Sequence, residues 1–536
     1  MYGRRPTRPK PRQSQAKRWP SPIAGWVANR ALADPSSIEG QGAAMLENFF
    51  PKATTVALRR GKQVYAFLAG SPTSLFSYRN GTVSRFFGAT TNTIYDLSEL
   101  PIPTGMENTT PTAPVVASGY TGGEWITAQF ATTGGVYLVG VNGSDAGFIF
   151  DGNTFAPWTG VTFGTSGLTL ADMAYVWVYK SRLFFAQKNS MNAWYVVAPD
   201  AIAGATDVFP LSGIFSQGGS LLFGAPWSLD SSGDSGLSEQ CVFVSSLGEV
   251  AVYQGTDPSE ADTWSKAGLY RIGAPLGRKA WMRGGGDLAI ATTVGLVPLS
   301  KAITLDITAL NVATVSNKIA DAWTEALVTR SAENWLCEIW PEGKMAVVAP
   351  PTSTSEPVLF VSNTETGAWA RFTNWEALSL EVFQGRLFFG SSDGNVYVAN
   401  IGGTDAGQPY TGTIIPLFED LGAPGRMKIA TVGRARVRAN VSLLGRIDLQ
   451  DDFDQNLPPA PDATRISATN AWNSGIWDVS TWNDTNLNVI NQDWQSVGGT
   501  GYSISACYRL TSGTVAPLDA ELVDLEILYT VAEEVS

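Results

Sequence analysis

Residues 378–398 read Leu378-Ser-Leu-Glu-Val-Phe-Gln, Gly385-Arg-Leu-Phe-Phe-Gly and, after two serines, Asp393-Gly-Asn-Val-Tyr-Val. Each phrase is a short apolar strand, and Gly, Asp or Ser marks the turn that follows it. The same succession opens at Leu75 and recurs with starts 43 to 55 residues apart, at about Trp125, Ala174, Trp227, Ala280 and Trp335. A period of this size built from short strands is typical of a β-propeller, because one small sheet cannot bury both of its faces alone.

The repeat predicts an all-β chain whose propeller has six or seven blades, with seven favoured. The last repeat shows only three strands, and we expect Thr54–Gly61 to supply the fourth strand and close the ring. Ser37–Phe50 is the one stretch in this region with apolar residues near helical spacing. We divide the chain into a basic Pro- and Arg-rich extended arm (1–24), a lead-in segment (25–53), the propeller (54–409) and an appended C-terminal β-sandwich (410–536).

Composition indicates a chain that hides much of its surface against partners. Hydrophobic residues make up 44% of the 536 residues and charged residues only 16%, with 18 Trp. The sequence has no run of about 18 apolar residues and no apolar segment behind the N-terminal basic residues, so we expect no membrane span and no secretory signal. The expected place of synthesis is therefore a cytoplasm.

The chain contains no histidine. That absence excludes a Ser-His-Asp or Cys-His nucleophile, a His-ligated zinc site and a His general base. Three cysteines, Cys241, Cys337 and Cys507, form no CxxC pair. We expect them to be buried free thiols.

Carboxylates near the predicted strands form no recognisable catalytic pair in the sequence. Those that lie beside a blade strand are Glu124, Glu249, Asp287 and Glu381. Asp451, Asp452 and Asp454 lack the spacing and the following Gly of a calcium loop, and Gly284-Gly-Gly-Asp287 precedes a strand and has no Lys with Ser or Thr to bind phosphate. We therefore predict no catalytic, cofactor-binding or metal site, and a protein that is not an enzyme.

Charge is distributed unevenly along the chain. The net charge is −12, yet the first 18 residues carry seven positive charges and no negative one, so the remainder carries −12 − 7 = −19. Such an acidic body repels nucleic acid over about a Debye length, roughly 8 Å at physiological salt. We expect this body not to bind DNA and to be able to serve as a surface past which DNA slides without adsorbing.

Three groups of residues are candidate interfaces with partners. They are the basic arm (Arg4, Arg5, Arg8, Lys10, Arg12), an alternating stripe on one strand (Arg434, Arg436, Arg438) and an aromatic cluster (Trp472, Trp477, Trp482). The arm is either a solvated tail or a segment that orders against an acidic neighbour. The stripe either docks on the acidic flank of an adjacent subunit or lies in solvent. The Trp cluster either stacks on sugar rings or serves as core packing and interface anchors.

Several short phrases occur in an order that resembles one family, the propeller-type tail nozzle (tail hub) proteins of short-tailed bacteriophages. The phrases are Asn48-Phe-Phe-Pro, Leu58-Arg-Arg-Gly, Lys180-Ser-Arg-Leu-Phe-Phe-Ala, Gly248-Glu-Val-Ala-Val-Tyr-Gln-Gly, Thr366-Gly-Ala-Trp and Gly499-Thr-Gly-Tyr-Ser. The resemblance covers roughly residues 25 to 530, and none of its phrases is a catalytic signature.

The resemblance implies a structural virion protein of the tail, assembled in the bacterial host cytoplasm. It implies a homo-oligomeric ring of about six copies below a portal-proximal adaptor ring, with fibres or spikes outside and viral DNA passing along the axis without specific binding. The alternative is a glycan-binding or glycan-cleaving propeller that acts in host attachment. The two differ in assembly, since a nozzle forms rings and has no sugar affinity.

Overall fold

The computed structural model describes residues 14–28, 41–81, 83–103, 111–228, 239–260, 262–352, 356–454, 456–464, 489–514 and 516–532. The chain forms two compact units. The propeller unit comprises residues 62–367 and 373–401, and the terminal unit comprises residues up to 61, 368–372 and 402 onward. In the described part of the chain, no helix is both long and apolar enough to cross a membrane.

Small sheets follow one another along the propeller unit, and each starts with its innermost strand. The strands of the first and second sheets are Ser74–Asn80, Val83–Ala89, Thr93–Asp96 and Val115–Ser118, then Ile126–Thr132, Gly135–Val141, Phe148–Phe150 and Phe155–Pro157. Those of the third and fourth are Met173–Tyr179, Arg182–Gln187, Asn192–Val196 and Gly204–Pro210, with Val161–Thr162 beside the last, then Leu221–Ser228, Glu239–Ser245, Glu249–Gly255 and Trp264–Arg271.

The remaining three sheets complete the ring. Their strands in this unit are Trp281–Gly284, Asp287–Thr292 and Gly295–Pro298; Leu336–Trp340, Met345–Ala349 and Val358–Asn363; and Ser379–Phe383, Arg386–Gly390, Asn395–Ala399 and Lys62–Phe67. The first strands of neighbouring sheets contact one another around the ring, and the first strand of the seventh sheet contacts that of the first. The expected all-β propeller is confirmed. The described part of this unit contains seven such sheets, of which the fifth and the sixth have three strands each in this unit, in agreement with the predicted six or seven blades.

An N-terminal strand closes the ring, as expected, but the prediction that Thr54–Gly61 is this strand was wrong. Lys62–Phe67 pairs antiparallel with Asn395–Ala399 and completes the seventh sheet. Val56–Leu58, inside the expected segment, instead pairs with Phe49–Pro51 and with the C-terminal strand Glu521–Val531 in the terminal unit. Both candidate segments are apolar and short, so only the tertiary pairing partner distinguishes them.

Helices occur after the fifth sheet, a feature that the strand repeat did not predict. They are Leu299–Ala302, Ile307–Ala313 and Ala320–Thr329, with a 3-10 turn at Asn317–Ile319; a further 3-10 turn, Leu170–Asp172, precedes the third sheet. The Asp306 side chain caps the second helix by accepting a hydrogen bond from the Thr308 N–H. Trp323 on the third helix is buried against Trp335, with ring centroids 4.9 Å apart. These helices are short, so packing rather than propensity holds them.

The terminal unit contains two sheets that stack on each other, as expected for a β-sandwich. One is built from Gln15–Pro20, Phe49–Pro51, Val56–Leu58, Lys428–Ala439, Val489–Asn491, Gln495–Gly501 and Glu521–Val531. The other is built from Ala43–Glu47, Trp369–Thr373, Tyr410–Pro416, Arg446–Asp451 and Ile504–Ser512. A Cβ added to Gly499 would lie 2.6 Å from Leu449 Cδ2, so the two sheets approach closely there.

N-terminal strands are therefore integral to this sandwich. The helical spacing noted in Ser37–Phe50 is overridden where the structure describes it, since Ala43–Glu47 is a strand paired with Thr413–Pro416. Of the basic arm, Gln15–Pro20 is extended and pairs antiparallel with Asp524–Tyr529. Backbone hydrogen bonding to a long neighbouring strand outweighs local preference in both segments.

Candidate functional site in the axial cavity of the propeller

A cavity of about 390 Å³ lies where the first strands of the propeller unit meet. Its walls come from the beginnings of six sheets, the first, second, third, fifth, sixth and seventh. The residues that matter for its chemistry are Tyr175, Arg278, Lys279, Trp281, Glu338 and Glu381. Because the first strand of each sheet is the innermost, the cavity lies on the propeller axis.

Two carboxylates occupy equivalent positions in adjacent sheets. Glu338 is the third residue of Leu336–Trp340, and Glu381 is the third residue of Ser379–Phe383. Burial, and then the charge of Glu381, raise the pKa of Glu338 to about 8. Burial also raises the pKa of Glu381 to about 7, against the opposing effects of a hydrogen bond from Ser77 and the charges of Lys279 and Arg79. The pair therefore holds at least one proton at neutral pH.

Lys279 is a cation of the same cavity, and its charge acts on Glu381. Its Nζ donates a hydrogen bond to Ser74 Oγ at 3.1 Å, and its backbone oxygen accepts the N–H of Cys337 at 3.0 Å. Burial lowers the pKa of Lys279 to about 8, although the carboxylates of Glu124 and Glu381 oppose the shift. The site thus brings together an amine and two carboxyl groups whose charged states all cost desolvation free energy.

An aromatic wall borders these groups. Trp281 stacks on Phe223, with ring centroids 5.9 Å apart and an interplanar angle of 13°. Its Nε1 donates a hydrogen bond to the hydroxyl of Tyr175 at 3.1 Å, which fixes the orientation of the indole ring. Cys337 also lines the cavity, and burial raises the pKa of its thiol, so the sulfur is not an activated nucleophile. All three cysteines are buried and free, as expected.

Other carboxylates that the sequence analysis named lie outside this cavity. Glu249 accepts hydrogen bonds from the Ser216 N–H, the Ser216 hydroxyl and the Gln217 N–H, which hold its pKa below the usual value despite burial. Asp287 accepts from Trp227 Nε1 at 3.1 Å and from the Ser300 hydroxyl at 2.6 Å. Glu124 is exposed. Of the four, only Glu381 reaches the axial cavity, and its partner there is Glu338.

Sequence reasoning missed Glu338 because its strand was treated as a plain apolar phrase. The available signal was positional. A single acidic residue occurs at the third position of the first strand in two successive repeats, and equivalent positions in successive blades face the axis at one level.

The arginine stripe is largely paired within the chain. Arg434 contacts Glu526 at 2.8 Å, and its guanidinium lies 4.5 Å from the ring centroid of Trp494. Arg436 Nε donates to Asp524 at 2.7 Å. A register shift follows Arg436, and Arg438 is exposed opposite Glu521. Two of the three predicted interface arginines are therefore engaged by acids of the neighbouring strand.

Two predicted interface groups lie outside the described residues. They are Arg4, Arg5, Arg8, Lys10 and Arg12 of the arm, and Trp472, Trp477 and Trp482 of the aromatic cluster. In the acidic turn, Asp452 accepts hydrogen bonds from the N–H groups of Tyr502 and Ser503. The described residues contain no group of three potential metal ligands.

Comparisons with known proteins give structural likeness only. No protein-family model matches the chain, and no curated protein matches it. The computationally designed Ika8 protein aligns with 63% of this chain and all of its own, at 10% identity and a TM-score of 0.35. The β-propeller domain of Cps50 (Swd1) from Myceliophteria thermophila aligns with 63% of this chain and 99% of its own, at 11% identity and a TM-score of 0.36. The assignment of this chain as a β-propeller protein accordingly rests on its own sheets.

Proposed function

We propose that this chain is a structural, non-enzymatic component of a virion, the tail nozzle of a short-tailed bacteriophage. Six or so copies form a ring that extends the DNA exit channel. The ring attaches to a portal-proximal adaptor and carries fibres or spikes on its outside. The chain is assembled in the cytoplasm of the bacterial host.

The observation that carries this proposal is the position of the resembling phrases in the fold. Asn48 and Arg59 belong to two separate phrases, and Arg59 Nε donates to Asn48 Oδ1 at 2.8 Å inside the terminal unit. Lys180 and Ser181 of a third phrase both have positive φ, 41° and 59°, as the two-residue turn between Met173–Tyr179 and Arg182–Gln187 requires. In this chain the phrases form turns and buried contacts. A resemblance that lies in such positions favours a structural role.

A fourth phrase has the same character. Gly248 has φ +84°, and an added Cβ would lie 2.3 Å from the backbone oxygen of Ile272, so only glycine is tolerated there. Glu249, next to it, is buried and bound to Ser216 and Gln217. Neither residue is placed to act on a substrate. This supports a scaffold role over a catalytic one for the residues on which the resemblance depends.

Electrostatics supports the conduit role. Outside the first 18 residues the chain carries a net charge of −19. A channel wall of this sign lets duplex DNA pass, because cationic walls would bind phosphates and release counterions. We expect the full-length protein to leave the mobility of duplex DNA unchanged at 0.15 M salt, in an electrophoretic assay with the protein in excess.

Assembly is the direct test of the proposal. Sedimentation velocity of the purified full-length chain, alone and at increasing concentration, should show one closed species with the mass of several 57.2 kDa chains. Its mass should stop increasing once the ring is complete, because closed point-group symmetry leaves no free interface. A species that remains monomeric at every concentration and retards DNA would contradict the nozzle proposal.

The glycan-binding alternative has one observation in its favour, the axial cavity with its two carboxyl groups and its tryptophan. The nozzle role does not use this cavity. Sugar binding and ring assembly are therefore tested by different measurements.

A further inference from the structure

The axial cavity has the properties of a ligand site rather than of a packing defect. Its volume of about 390 Å³ is at the small end of the range of ligand pockets, about 300–1,000 Å³. Charged side chains line it, whereas cavities left by imperfect packing are apolar. Lys279, Glu338 and Glu381 all extend into this space from three different segments of the ring.

The Glu338 carboxyl group in the cavity has few hydrogen-bond partners within the chain. The Glu338 carboxyl group has the adjacent Ile339 N–H as a hydrogen-bond partner. In the described ranges, no side chain donates a hydrogen bond to it or pairs with its charge. By surface area the Glu338 side chain is only half-buried, so its carboxyl group faces the open space of the cavity. A ligand hydroxyl that enters this space can form a hydrogen bond with it.

The signs of the charges narrow the chemistry of the ligand. The cationic side chains of Lys279 and Arg278 line the same cavity as the carboxyl groups of Glu338 and Glu381. A simple cation would be repelled by Lys279, and a simple anion by the two glutamates. A neutral molecule with many hydroxyl groups matches the set, because ammonium and guanidinium groups donate hydrogen bonds while carboxyl groups accept them and, when protonated, also donate.

The aromatic wall of the cavity further restricts the kinds of ligand that can bind. Trp281 lines the cavity with its ring held by Phe223 on one face and by the Tyr175 hydroxyl at Nε1. A fixed indole next to polar groups suits a ligand that has both apolar C–H surface and hydroxyls. A sugar ring combines the two within the size of this cavity.

We propose that the axial cavity binds one sugar residue, either a free monosaccharide or the terminal unit of a glycan. Glu338 and Glu381 bind its hydroxyls, Lys279 donates to a further oxygen, and Trp281 packs against its C–H face. The family resemblance alone implied a nozzle without sugar affinity. This cavity is lined only by residues of the propeller unit, so its sugar binding is a property beyond the proposed nozzle role and is measured separately from ring assembly.

Saturation-transfer NMR on the full-length protein tests the proposal. The probes are glucose, galactose, mannose and N-acetylglucosamine, each as the free sugar and as a short oligosaccharide. We expect transfer to at least one sugar, with saturable binding. Glu338→Gln should weaken it at least tenfold, and the matched control Glu325→Gln, on an exposed helix position, should leave it unchanged. Tighter binding of the oligosaccharide indicates a glycan end, and binding of the monosaccharide alone indicates a free sugar.

A second variant, checked for its fold, distinguishes loss of sugar binding from misfolding. Trp281→Phe keeps an aromatic ring against Phe223 but removes the Nε1 donor and part of the cavity wall, and it should also weaken binding while circular dichroism stays that of the parent. Absence of saturation transfer from every sugar in the panel overturns the proposal. Equal binding by the parent and by Glu338→Gln overturns it as well.

Discussion

Arg59 and Asp405 form a two-pronged ion pair in the interior of the terminal unit. Arg59 Nη1 donates to Asp405 Oδ1 at 2.9 Å, and Nη2 donates to Oδ2 at 2.7 Å. Both side chains are almost completely buried, with 0% and 4% of their surfaces exposed. The guanidinium also lies 4.1 Å from the ring centroid of Tyr410, and its Nε donates to Asn48. Two residues 346 positions apart in the chain are joined by this contact.

Breaking this pair should destabilise the terminal unit severely. Arg59→Ala leaves the Asp405 carboxylate buried without its counter-ion, and we expect a loss of about 3–5 kcal/mol in the free energy of unfolding. Arg60→Ala is the matched control, since Arg60 pairs with Asp519 at an exposed site, and its cost should be at most about 1 kcal/mol. Denaturant titration followed by tryptophan fluorescence measures both. Equal midpoints for the two variants would contradict the structural role of Arg59.

Stability should depend on pH through Glu338. Its pKa is raised from 4.5 to about 8 in the native state, so the native protein keeps a proton that the unfolded chain releases as pH rises through this window. The contribution of Glu338 to stability therefore falls between about pH 4.5 and 8. The substitution Glu338→Gln removes this pH-dependent contribution to stability, because glutamine does not titrate.

The stability of Glu338→Gln relative to the parent should accordingly be greater at pH 8 than at pH 5. The expected gain is at least about 1.4 kcal/mol, the value of one pKa unit. Denaturant titrations of both proteins at the two pH values measure it. A difference that is the same at pH 5 and pH 8 would show that Glu338 titrates normally.

The N-terminal strand should depend on Asp524. This fully buried carboxylate accepts hydrogen bonds from Arg18 Nε at 2.6 Å and from Arg436 Nε at 2.7 Å, so it ties Gln15–Pro20 and Lys428–Ala439 to the strand between them. Asp524→Asn should cost about 1.5–3 kcal/mol, the range for hydrogen bonds to charged groups.

Limited trypsin digestion gives the local readout for this variant. Cleavage after Lys17 and Arg18 should become several-fold faster in Asp524→Asn, because local opening of the strand exposes the bonds. Asp519→Asn, at an exposed position, should be digested like the parent. Unchanged cleavage in Asp524→Asn would mean that backbone pairing alone holds the strand.

Closure of the propeller should depend on Tyr65. This side chain of the closing strand is 2% exposed, packs 4.8 Å from the ring centroid of Phe388, and donates a hydrogen bond from its hydroxyl to the Leu97 oxygen at 2.6 Å. Tyr65→Ala should cost about 3–5 kcal/mol, as for other large buried aromatics. Tyr65→Phe keeps the ring and loses one hydrogen bond, so about 1 kcal/mol is expected. Thermal unfolding should rank the parent above Phe and Phe above Ala; any other order contradicts the closure model.

The sequence predicted the parts of the fold that repeat. Strand phrases such as Arg182–Gln187 and Arg386–Gly390 recur with the same turn residues, and local pattern alone identifies them. The sequence pattern did not predict the features that depend on pairing between distant segments of the chain. Lys62–Phe67 closes the ring in place of the expected segment because its partner, Asn395–Ala399, is more than 300 residues away. The helices within 299–329 are too short for a strong periodic signal.

The candidate site was only half visible in the sequence. Glu381 was among the carboxylates noted, but convergence with Glu338 depends on how two blades are placed around the axis. The pKa values of both groups depend on burial, which spacing does not report. For the arginine stripe, alternation showed that the side chains share a face, whereas its neutralisation by Asp524 and Glu526 depends on the neighbouring strand.

Negative-stain images of the purified full-length chain test the central proposal most directly. The nozzle account predicts closed rings of identical copies around a central hole wide enough for duplex DNA. Class averages that show only isolated single propellers, at concentrations where the protein is soluble and folded, would contradict it.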